Sequence, residues 1–327
     1  MSHYSPVVAA LVTMLLTTII LISKFGKEIQ DIPNERSLHE TPIPRIGGVG
    51  MMAGLLAGWA LMLTSLMWWL VLPLIGLFVV SLLDDMHSLS VKKRFLAHLL
   101  AAVILVAGSG VLTQQGLLIA VLVLLLTVWM TNLYNFMDGS DGLAGGMALF
   151  GFSMYGAAAL MAHDDTQAML NFSIGAAALG FLYNNFHPAK VFMGDAGSIP
   201  LGFLAAGMGV WGWQQGYWAA WFPLLVFSPF IVDASVTLVK RTLRGEKITE
   251  AHREHYYQRL VQMGWGHRNV ALVEYALMLG AGITALTVLD QIFPWVIFLI
   301  WGGLYALLML LIDSAWRKFE LAKHAQG

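Results

Sequence analysis

The chain is a succession of apolar stretches, each about 20 residues long, which is the length that an α-helix needs to cross a bilayer. The eleven stretches are 6–23, 46–64, 66–83, 95–113, 117–135, 143–162, 166–186, 198–213, 217–239, 270–289 and 292–312. Only 11% of the 327 residues are charged, against roughly 25% in a typical soluble domain. We therefore predict an all-α fold, a polytopic transmembrane helical bundle of about 11 spans.

Basic residues lie only in alternate connections between these stretches. If the N-terminus is placed outside the membrane, all 18 Lys and Arg residues fall on the opposite side. Lys and Arg accumulate in cytoplasmic loops, so this asymmetry predicts a periplasmic N-terminus and a cytoplasmic C-terminus. The apolar run from Pro6 to Ile22 has no basic segment before it, which favours a retained first helix over a cleaved signal peptide.

Five loops on the basic side also collect most of the acidic and histidine residues. They are 24–45, 84–94, 136–142, 187–197 and 240–269. The longest has about 30 residues, too few for a core of its own. The sequence thus predicts one integral-membrane domain over residues 1–327, with its chemistry at the membrane surface. Because the chain has no Cys, catalysis must come from Asp, Glu, His, Lys or Arg.

Two adjacent carboxylates, Asp84 and Asp85, end the third apolar stretch. At a membrane boundary, desolvation and mutual repulsion make such a pair costly without a cation or a proton. A solvated pair at a helix end is the simpler explanation if this motif is considered alone.

Polar side chains recur at three-residue spacing where the fifth stretch ends. The motif runs Asn132-x-x-Asn135-x-x-Asp138-Gly139-x-Asp141-Gly142. Steps of three residues turn about 300° around a helix, so these groups form one slowly drifting stripe. A plain turn explains the Asp-Gly pairs but not two Asn residues inside an apolar helix. The pattern therefore favours side chains that face one pocket.

A glycine-flanked carboxylate precedes the eighth stretch, in the segment Phe192-Met193-Gly194-Asp195-Ala196-Gly197-Ser198. Exposed amides at a helix start suit a phosphate, and a carboxylate beside them suits the Mg²⁺ that accompanies phosphates. A capped glycine turn is the alternative interpretation of this segment.

The densest polar run is Ala251-His252-Arg253-Glu254-His255-Tyr256-Tyr257-Gln258-Arg259. His252 and His255 are three residues apart, so we expect them to share a helix face. Nitrogen ligands match Mg²⁺ poorly, which favours phosphate binding by this run over a metal site. A solvated basic helix is the alternative.

Two further features complete the polar inventory. Asp233 lies inside the ninth stretch and is a candidate for either catalysis or an internal ion pair, with Arg241 as its nearest basic neighbour in sequence. The segment 24–45 is irregular because of its prolines, and its Arg36, His39 and Arg45 are candidates for phosphate contacts or for interfacial anchoring.

Taken together, these motifs resemble the polyprenyl-phosphate N-acetylhexosamine-1-phosphate transferases of glycosyltransferase family 4. This family includes the phospho-MurNAc-pentapeptide translocase of peptidoglycan synthesis and the enzymes that initiate O-antigen. The resemblance extends from residue 31 to about 260, and the order of the motifs along the chain is its most specific part. The chain lacks the three consecutive His residues of the peptidoglycan enzyme. Its Asn34-Glu35-Arg36-Ser37 and Pro44-Arg45 segments look more like the subgroup that starts surface glycans.

The resemblance implies a role for each candidate residue. Asp84, Asp85, His252 and His255 would be catalytic; Asn132, Asn135, Asp138, Asp141, Arg45, Arg253 and Arg259 would bind substrate; and Asp195 with Asp85 would hold the metal. The cofactor would be Mg²⁺, with Mn²⁺ as a substitute. The partners would be UDP-N-acetylhexosamine, undecaprenyl phosphate, membrane lipids and a second copy in a homodimer, with no nucleic acid. The enzyme would work in the bacterial inner membrane with its active site facing the cytoplasm.

Two questions stay open at the level of sequence. The displacement is either direct, which we favour, or proceeds through a covalent aspartyl phosphate. A transporter or ion channel is the main alternative function, because intramembrane Asp and Asn also line ion pathways. That alternative predicts polar groups at mid-bilayer depth, whereas here they cluster at the ends of the apolar stretches.

Overall fold

The computed structural model describes residues 2–33, 38–39, 41–247 and 252–324. The described part is almost entirely helical, which confirms the all-α prediction. Its helices are α1 Ser5–Ile22, α2 Lys24–Glu28, α3 Gly47–Ala60, α4 Trp68–His87, α5 Val91–Ser109, α6 Val111–Phe136, α7 Leu143–Met161, α8 Asp165–Asn185, α9 Asp195–Gln214, α10 Phe222–Val226, α11 Ser228–Leu243, α12 Tyr256–Leu260, α13 Gly266–Thr287 and α14 Trp295–His324. The strands β1 Gln30–Asp31 and β2 Ile43–Pro44 pair antiparallel.

Each of the eleven predicted stretches coincides with helical structure. Within the described ranges, six helical segments are long and apolar enough to cross a membrane: Ser2–Ile22, Trp68–His87, Val111–Phe136, Leu143–Met161, Tyr256–Thr287 and Trp295–Lys323. The chain is therefore a multi-pass membrane protein, while the count of eleven spans and the orientation stay predictions. The ninth stretch is divided into α10 and α11, because Pro229 at the start of α11 lacks the N–H that would continue the preceding helix.

Helix α9 lies at the centre of the bundle and packs against α3, α4, α5, α6, α7 and α10. Small residues allow these close approaches, as is common between membrane helices. A Cβ atom added at Gly202 of α9 would lie 2.6 Å from the carbonyl oxygen of Met130 in α6. The two backbones therefore approach too closely for a larger residue, and α9 is held firmly between its neighbours.

Backbone hydrogen bonds attach the glycine-flanked segment before α9 to the end of the irregular N-terminal segment. The amide of Phe192 donates to Pro44 (2.7 Å), the amide of Gly47 to Phe192 (2.9 Å) and the amide of Gly48 to Met193 (2.8 Å). These bonds hold the start of α3 beside the start of α9, so that residues distant in sequence meet at one end of the bundle.

The expected helix face shared by His252 and His255 is wrong. Residues 252–254 have no regular secondary structure and α12 begins only at Tyr256, so the two His residues precede the helix. Asn34, Arg36 and the rest of 34–37, together with residues 248–251, lie outside the described residues.

Candidate active site

A polar cavity of about 420 Å³ opens where α4, α6 and α9 begin or end. It collects residues from all five predicted loops. Predicted site residues on its wall are Arg45, Asp85, Asn135, Asp138, Asp141, Asp195 and His252. The motifs marked in the sequence therefore converge on one place, although they are spread over more than 200 residues of chain.

Asp85 joins the end of α4 to the start of α9. Its carboxylate accepts hydrogen bonds from the backbone amides of Asp195 (3.1 Å) and Ala196 (2.9 Å). The N-terminus of a helix favours negative charge, which stabilises this arrangement. Arg45 donates to the Asp85 carbonyl oxygen at 2.6 Å. Gly194 has φ +69°, and a Cβ there would lie 2.8 Å from Asp85 Oδ2, so only glycine fits between the two carboxylates.

Asp195 is the first residue of α9 and contacts groups from three elements. Asn135 Nδ2 donates to Asp195 Oδ1 at 2.8 Å and to Ser198 Oγ at 2.9 Å. Arg94 Nη1 lies 3.6 Å from Asp195 Oδ2 and donates to Asp84 Oδ2 at 3.1 Å. Arg94 therefore bridges two carboxylates that the sequence motifs placed in different segments.

Asp84 and Asp85 have different surroundings although they are adjacent. Asp85 lines the cavity, whereas Asp84 lies behind it, buried and paired with Arg94. Sequence reasoning counted Arg94 only as a topological signal. The sequence feature that could have placed Arg94 at the site is its position ten residues after Asp84 in the same loop.

Asp138 and Asp141 lie on the loop between α6 and α7. Burial, together with the negative charges of Asp195 and Asp85, raises the pKa of Asp138 well above its usual value. Asp141 accepts a hydrogen bond from His187 Nδ1 at 2.7 Å. His267 Nδ1 lies 2.8 Å from Ser140 Oγ and 3.9 Å from Asp141 Oδ1.

His187 and His267 were both missed from the sequence. They come from the ends of two different predicted spans, and their rings stack at 5.8 Å only in the folded chain. No local pattern in the sequence connects either of them to Asp141.

His252 lines the cavity, and its ring centroid lies 4.9 Å from that of His255. Burial, followed by the nearby His255 and Arg241, lowers the pKa of His252 to about 4. The imidazole is therefore neutral at pH 7 and offers one N–H donor and one acceptor. His255 is 3% exposed and lies behind His252, away from the cavity wall.

Three predicted substrate-binding residues do not reach the cavity. Asn132 donates to the Val128 carbonyl oxygen at 2.7 Å, within its own helix. Arg253 is exposed, and only its carbonyl oxygen has a described contact, with Gln262 Nε2 at 2.8 Å.

Arg259, the third of these residues, is committed to ion pairs away from the cavity. Its guanidinium binds Asp313 at 2.9 Å and lies 3.5 Å from Glu254. Arg241 likewise pairs with Glu254 at 2.8 Å, not with Asp233 as the spacing suggested. These arginines therefore hold the 252–260 segment against α11 and α14.

The carboxylates at the cavity fit a hard cation that is shared with a phosphate. Among the residues with described coordinates, no three His, Cys, Asp or Glu side chains converge to hold a metal by themselves. Mg²⁺ often binds through one or two carboxylates while substrate phosphates and waters complete its coordination. Asp195 and Asp138 line the cavity and offer oxygen ligands only. Asp85, the second metal ligand expected from the sequence, already accepts two backbone amides of α9. The donor set is thus appropriate for Mg²⁺ in the presence of a phosphate ligand.

The chain is similar in sequence to known proteins of one enzyme family. The sequence profile described as glycosyl transferase family 4 matches residues 67–212. A Bacillus subtilis protein named a probable undecaprenyl-phosphate N-acetylglucosaminyl 1-phosphate transferase is 30% identical over 94% of this chain and 89% of its own length. A decaprenyl-phosphate N-acetylglucosaminephosphotransferase of Mycobacterium leprae is 29% identical over 87% and 82%. A phospho-N-acetylmuramoyl-pentapeptide-transferase of Staphylococcus saprophyticus is 26% identical over 88% and 98%.

Proposed function

The chain belongs to glycosyl transferase family 4, and on that premise we propose that it transfers an N-acetylhexosamine 1-phosphate from a UDP-sugar to undecaprenyl phosphate, releasing UMP. The observation that carries the proposal is the convergence of Asp85, Asp195 and Asn135 with Arg45 on one cavity at the ends of apolar helices. A water-soluble diphosphate and a membrane-bound phosphate can meet only at such a boundary.

The reaction is a displacement at phosphorus. An oxygen of the lipid phosphate attacks the β-phosphorus of the donor, which carries the sugar. The bond from that phosphorus to the bridging oxygen breaks, and the bridging oxygen leaves with UMP. A lipid diphosphate sugar forms, and no oxidant or further phosphate donor is consumed.

Repulsion between two anionic reactants is the main obstacle to this step. Arg45 and Arg94 are the cations beside the carboxylates, and both would stabilise negative charge that develops on the breaking diphosphate. A neutral His252 would donate a hydrogen bond to the same group. When bound, Mg²⁺ would be held by Asp195 and Asp138 and would neutralise phosphate oxygens.

The acceptor needs little activation. A phosphate monoester has its second pKa near about 6, so most of the lipid phosphate is already a dianion at pH 7. Asp84 lies behind the cavity wall with one oxygen bonded to the amide of Leu89 and the other to Arg94, so it would act on the acceptor by positioning Arg94. We favour direct displacement over a covalent aspartyl phosphate because both Asp85 oxygens already accept backbone amides.

The proposed donor is a UDP-N-acetylhexosamine, with the N-acetylglucosamine form as the first to test. This choice rests on relatives named for N-acetylglucosamine transfer at 29–30% identity. We further propose that the product starts a surface glycan such as O-antigen, and that the cavity faces the cytoplasm of a bacterial inner membrane. The one-sided distribution of Lys and Arg supports that orientation.

The test uses membranes that contain the protein. UDP-N-acetylglucosamine labelled in the sugar is incubated with undecaprenyl phosphate and Mg²⁺, and the lipids are extracted. We expect label in the lipid phase with the native protein and none with Asp195→Asn. A panel of other UDP-N-acetylhexosamines then identifies the preferred sugar. Labelled sugar that crosses sealed vesicles without entering lipid would instead support a transporter.

A further inference from the structure

Asp233 is a buried carboxylate on α11 whose hydrogen-bond partners come mainly from one neighbouring segment, residues 255–257. The amides of Tyr256 and Tyr257 donate to its two oxygens at 3.0 and 3.1 Å. Its Oδ1 also lies 3.2 Å from His255 Nδ1 and accepts from Thr237 Oγ1 at 3.1 Å. Three of these four partners are consecutive residues at the start of α12, so Asp233 determines where that helix begins.

These contacts also fix the proton on His255. An ionised carboxylate only accepts hydrogen bonds, so the partner nitrogen Nδ1 must carry the proton. A carboxylate that holds one imidazole nitrogen sets both the tautomer and the ring orientation. In the neutral form, His255 Nε2 is then left with a free lone pair.

The orientation of His255 is passed on to His252. The His255 ring is close to parallel with the rings of Phe136 (centroid distance 6.4 Å) and Tyr257 (5.9 Å), with interplanar angles of 24° and 15°. The His252 ring centroid lies 4.9 Å from that of His255, with the two rings tilted by 37°. Tyr257 Oη donates to the Phe136 carbonyl oxygen at 3.1 Å, which anchors the same stack to the end of α6. The His252 ring thus packs against His255, whose orientation is fixed by its contact with Asp233.

We propose that Asp233 is a positioning residue that acts through His255 to hold His252 at the donor phosphates. The inference rests on the proposed function, because His252 is assigned there to the donor diphosphate. It explains why a membrane helix carries a buried acid that, among the described residues, contacts neither the cavity nor a Lys or Arg side chain. It also gives His255 a structural part in place of direct contact with substrate.

A double-mutant cycle tests this chain of contacts. Asp233→Asn keeps the side-chain volume but cannot accept from all of these donors, so kcat/KM for the UDP-sugar should fall about 10- to 100-fold, the scale of one lost charge-assisted hydrogen bond. In the His252→Ala background the same change should cost less than about 3-fold, because coupled residues are not additive. Equal losses in both backgrounds would overturn the proposal.

Two further variants separate positioning from general destabilisation. Asp233→Glu retains the charge and the acceptors and should recover part of the activity. Thr237→Val removes the fourth hydrogen bond without touching the 255–257 segment, and its kcat/KM should stay within about 2-fold of the native value. A Thr237→Val defect as large as that of Asp233→Asn would show that any damage to this helix suffices, and would contradict the proposal.

A turnover-independent measurement distinguishes failure of this inference from failure of the proposed function. In ¹⁵N NMR of histidine-labelled protein, the His255 signals, assigned with His255→Gln, should show a protonated Nδ1 and an unprotonated Nε2. Asp233→Asn should lose that pattern and Thr237→Val should keep it. If the pattern is present but the native protein transfers no sugar phosphate, the proposed function fails. A His255 protonated only on Nε2 in the native protein would refute the role of Asp233.

Discussion

At the scale of single residues, the position of each carboxylate determines what it can do. Both oxygens of Asp85 accept amides at the start of α9, Asp84 pairs with Arg94, and Asp195 has one oxygen bonded to Asn135 and the other 3.6 Å from Arg94 Nη1. Three acidic residues that look alike in sequence therefore have different chemistry. In the proposed mechanism, Asp195 is the residue that shares a cation with a phosphate, together with Asp138.

The metal assignment predicts that Asp195→Asn abolishes transfer while the protein still folds in membranes. The amide retains an oxygen for Asn135 Nδ2, so the local packing changes little, but it loses the negative charge that a divalent cation requires. Activity of the native protein should disappear with a chelator and return with Mg²⁺ or Mn²⁺. Full turnover of Asp195→Asn in chelator would refute the assignment.

Asp84 and His252 should affect different kinetic constants. Asp84→Asn is expected to lower kcat and leave UDP-sugar binding nearly unchanged, because the role proposed for Asp84 concerns the acceptor phosphate. His252→Ala is expected to weaken donor binding by roughly 1.5–3 kcal/mol, or about 10- to 100-fold. Calorimetry of UDP-sugar binding to both variants measures the difference. Abolished binding in Asp84→Asn with normal binding in His252→Ala would reverse the two roles.

Arg259 should matter for stability and not for donor binding. Its side chain is 8% exposed and binds Asp313, itself 14% exposed. Removal of one partner from such a pair costs on the order of 3 kcal/mol. Arg259→Ala should therefore lower the unfolding temperature in detergent, while UDP-sugar affinity per folded molecule is preserved. Arg268→Ala, which removes an exposed arginine, is the matched control and should leave the unfolding temperature unchanged.

At the scale of secondary-structure elements, the site is built where helices end. The apolar length of each segment predicted the helices, because crossing a bilayer imposes both a length and an internally bonded backbone. The motifs at 84–85, 132–142 and 192–198 were recognisable because glycines and acids interrupt apolar runs. The start of α12 was not predictable in the same way, since the carboxylate that fixes it, Asp233, lies 23 residues earlier in the chain.

Membrane orientation is a property of the elements and can be tested on them directly. The connection between α7 and α8 is predicted outside, and the end of α14 inside. The native chain has no Cys, so single cysteines are clean reporters. Thr166→Cys should react with an impermeant thiol reagent in intact cells, and Lys318→Cys should react only after permeabilisation. The opposite pattern would overturn the orientation.

At the scale of the whole molecule, the sequence predicts the fold class and most of the cavity wall but not its supporting contacts. His187 and His267 reach the site through tertiary packing, for which no local spacing gives a signal. Arg94 is close to Asp84 in sequence, but its contact with Asp195 is seen only in the folded chain. Arg259 was assigned to substrate because a sequence displays a charge without its partner, and Asp313 lies 54 residues away. Local patterns thus identified groups that face the cavity, while the ion pairs that shape it became visible only in three dimensions.

The central claim is that a sugar together with its phosphate is transferred to a lipid phosphate. Purified protein is incubated with undecaprenyl phosphate and UDP-N-acetylglucosamine, or another accepted UDP-sugar, that carries ³²P in either the α- or the β-phosphate. The account predicts that β-label enters the lipid in equal amount to the sugar, and that α-label is released entirely as UMP. Sugar that enters the lipid without β-label, or release of α-label as UDP, would contradict it.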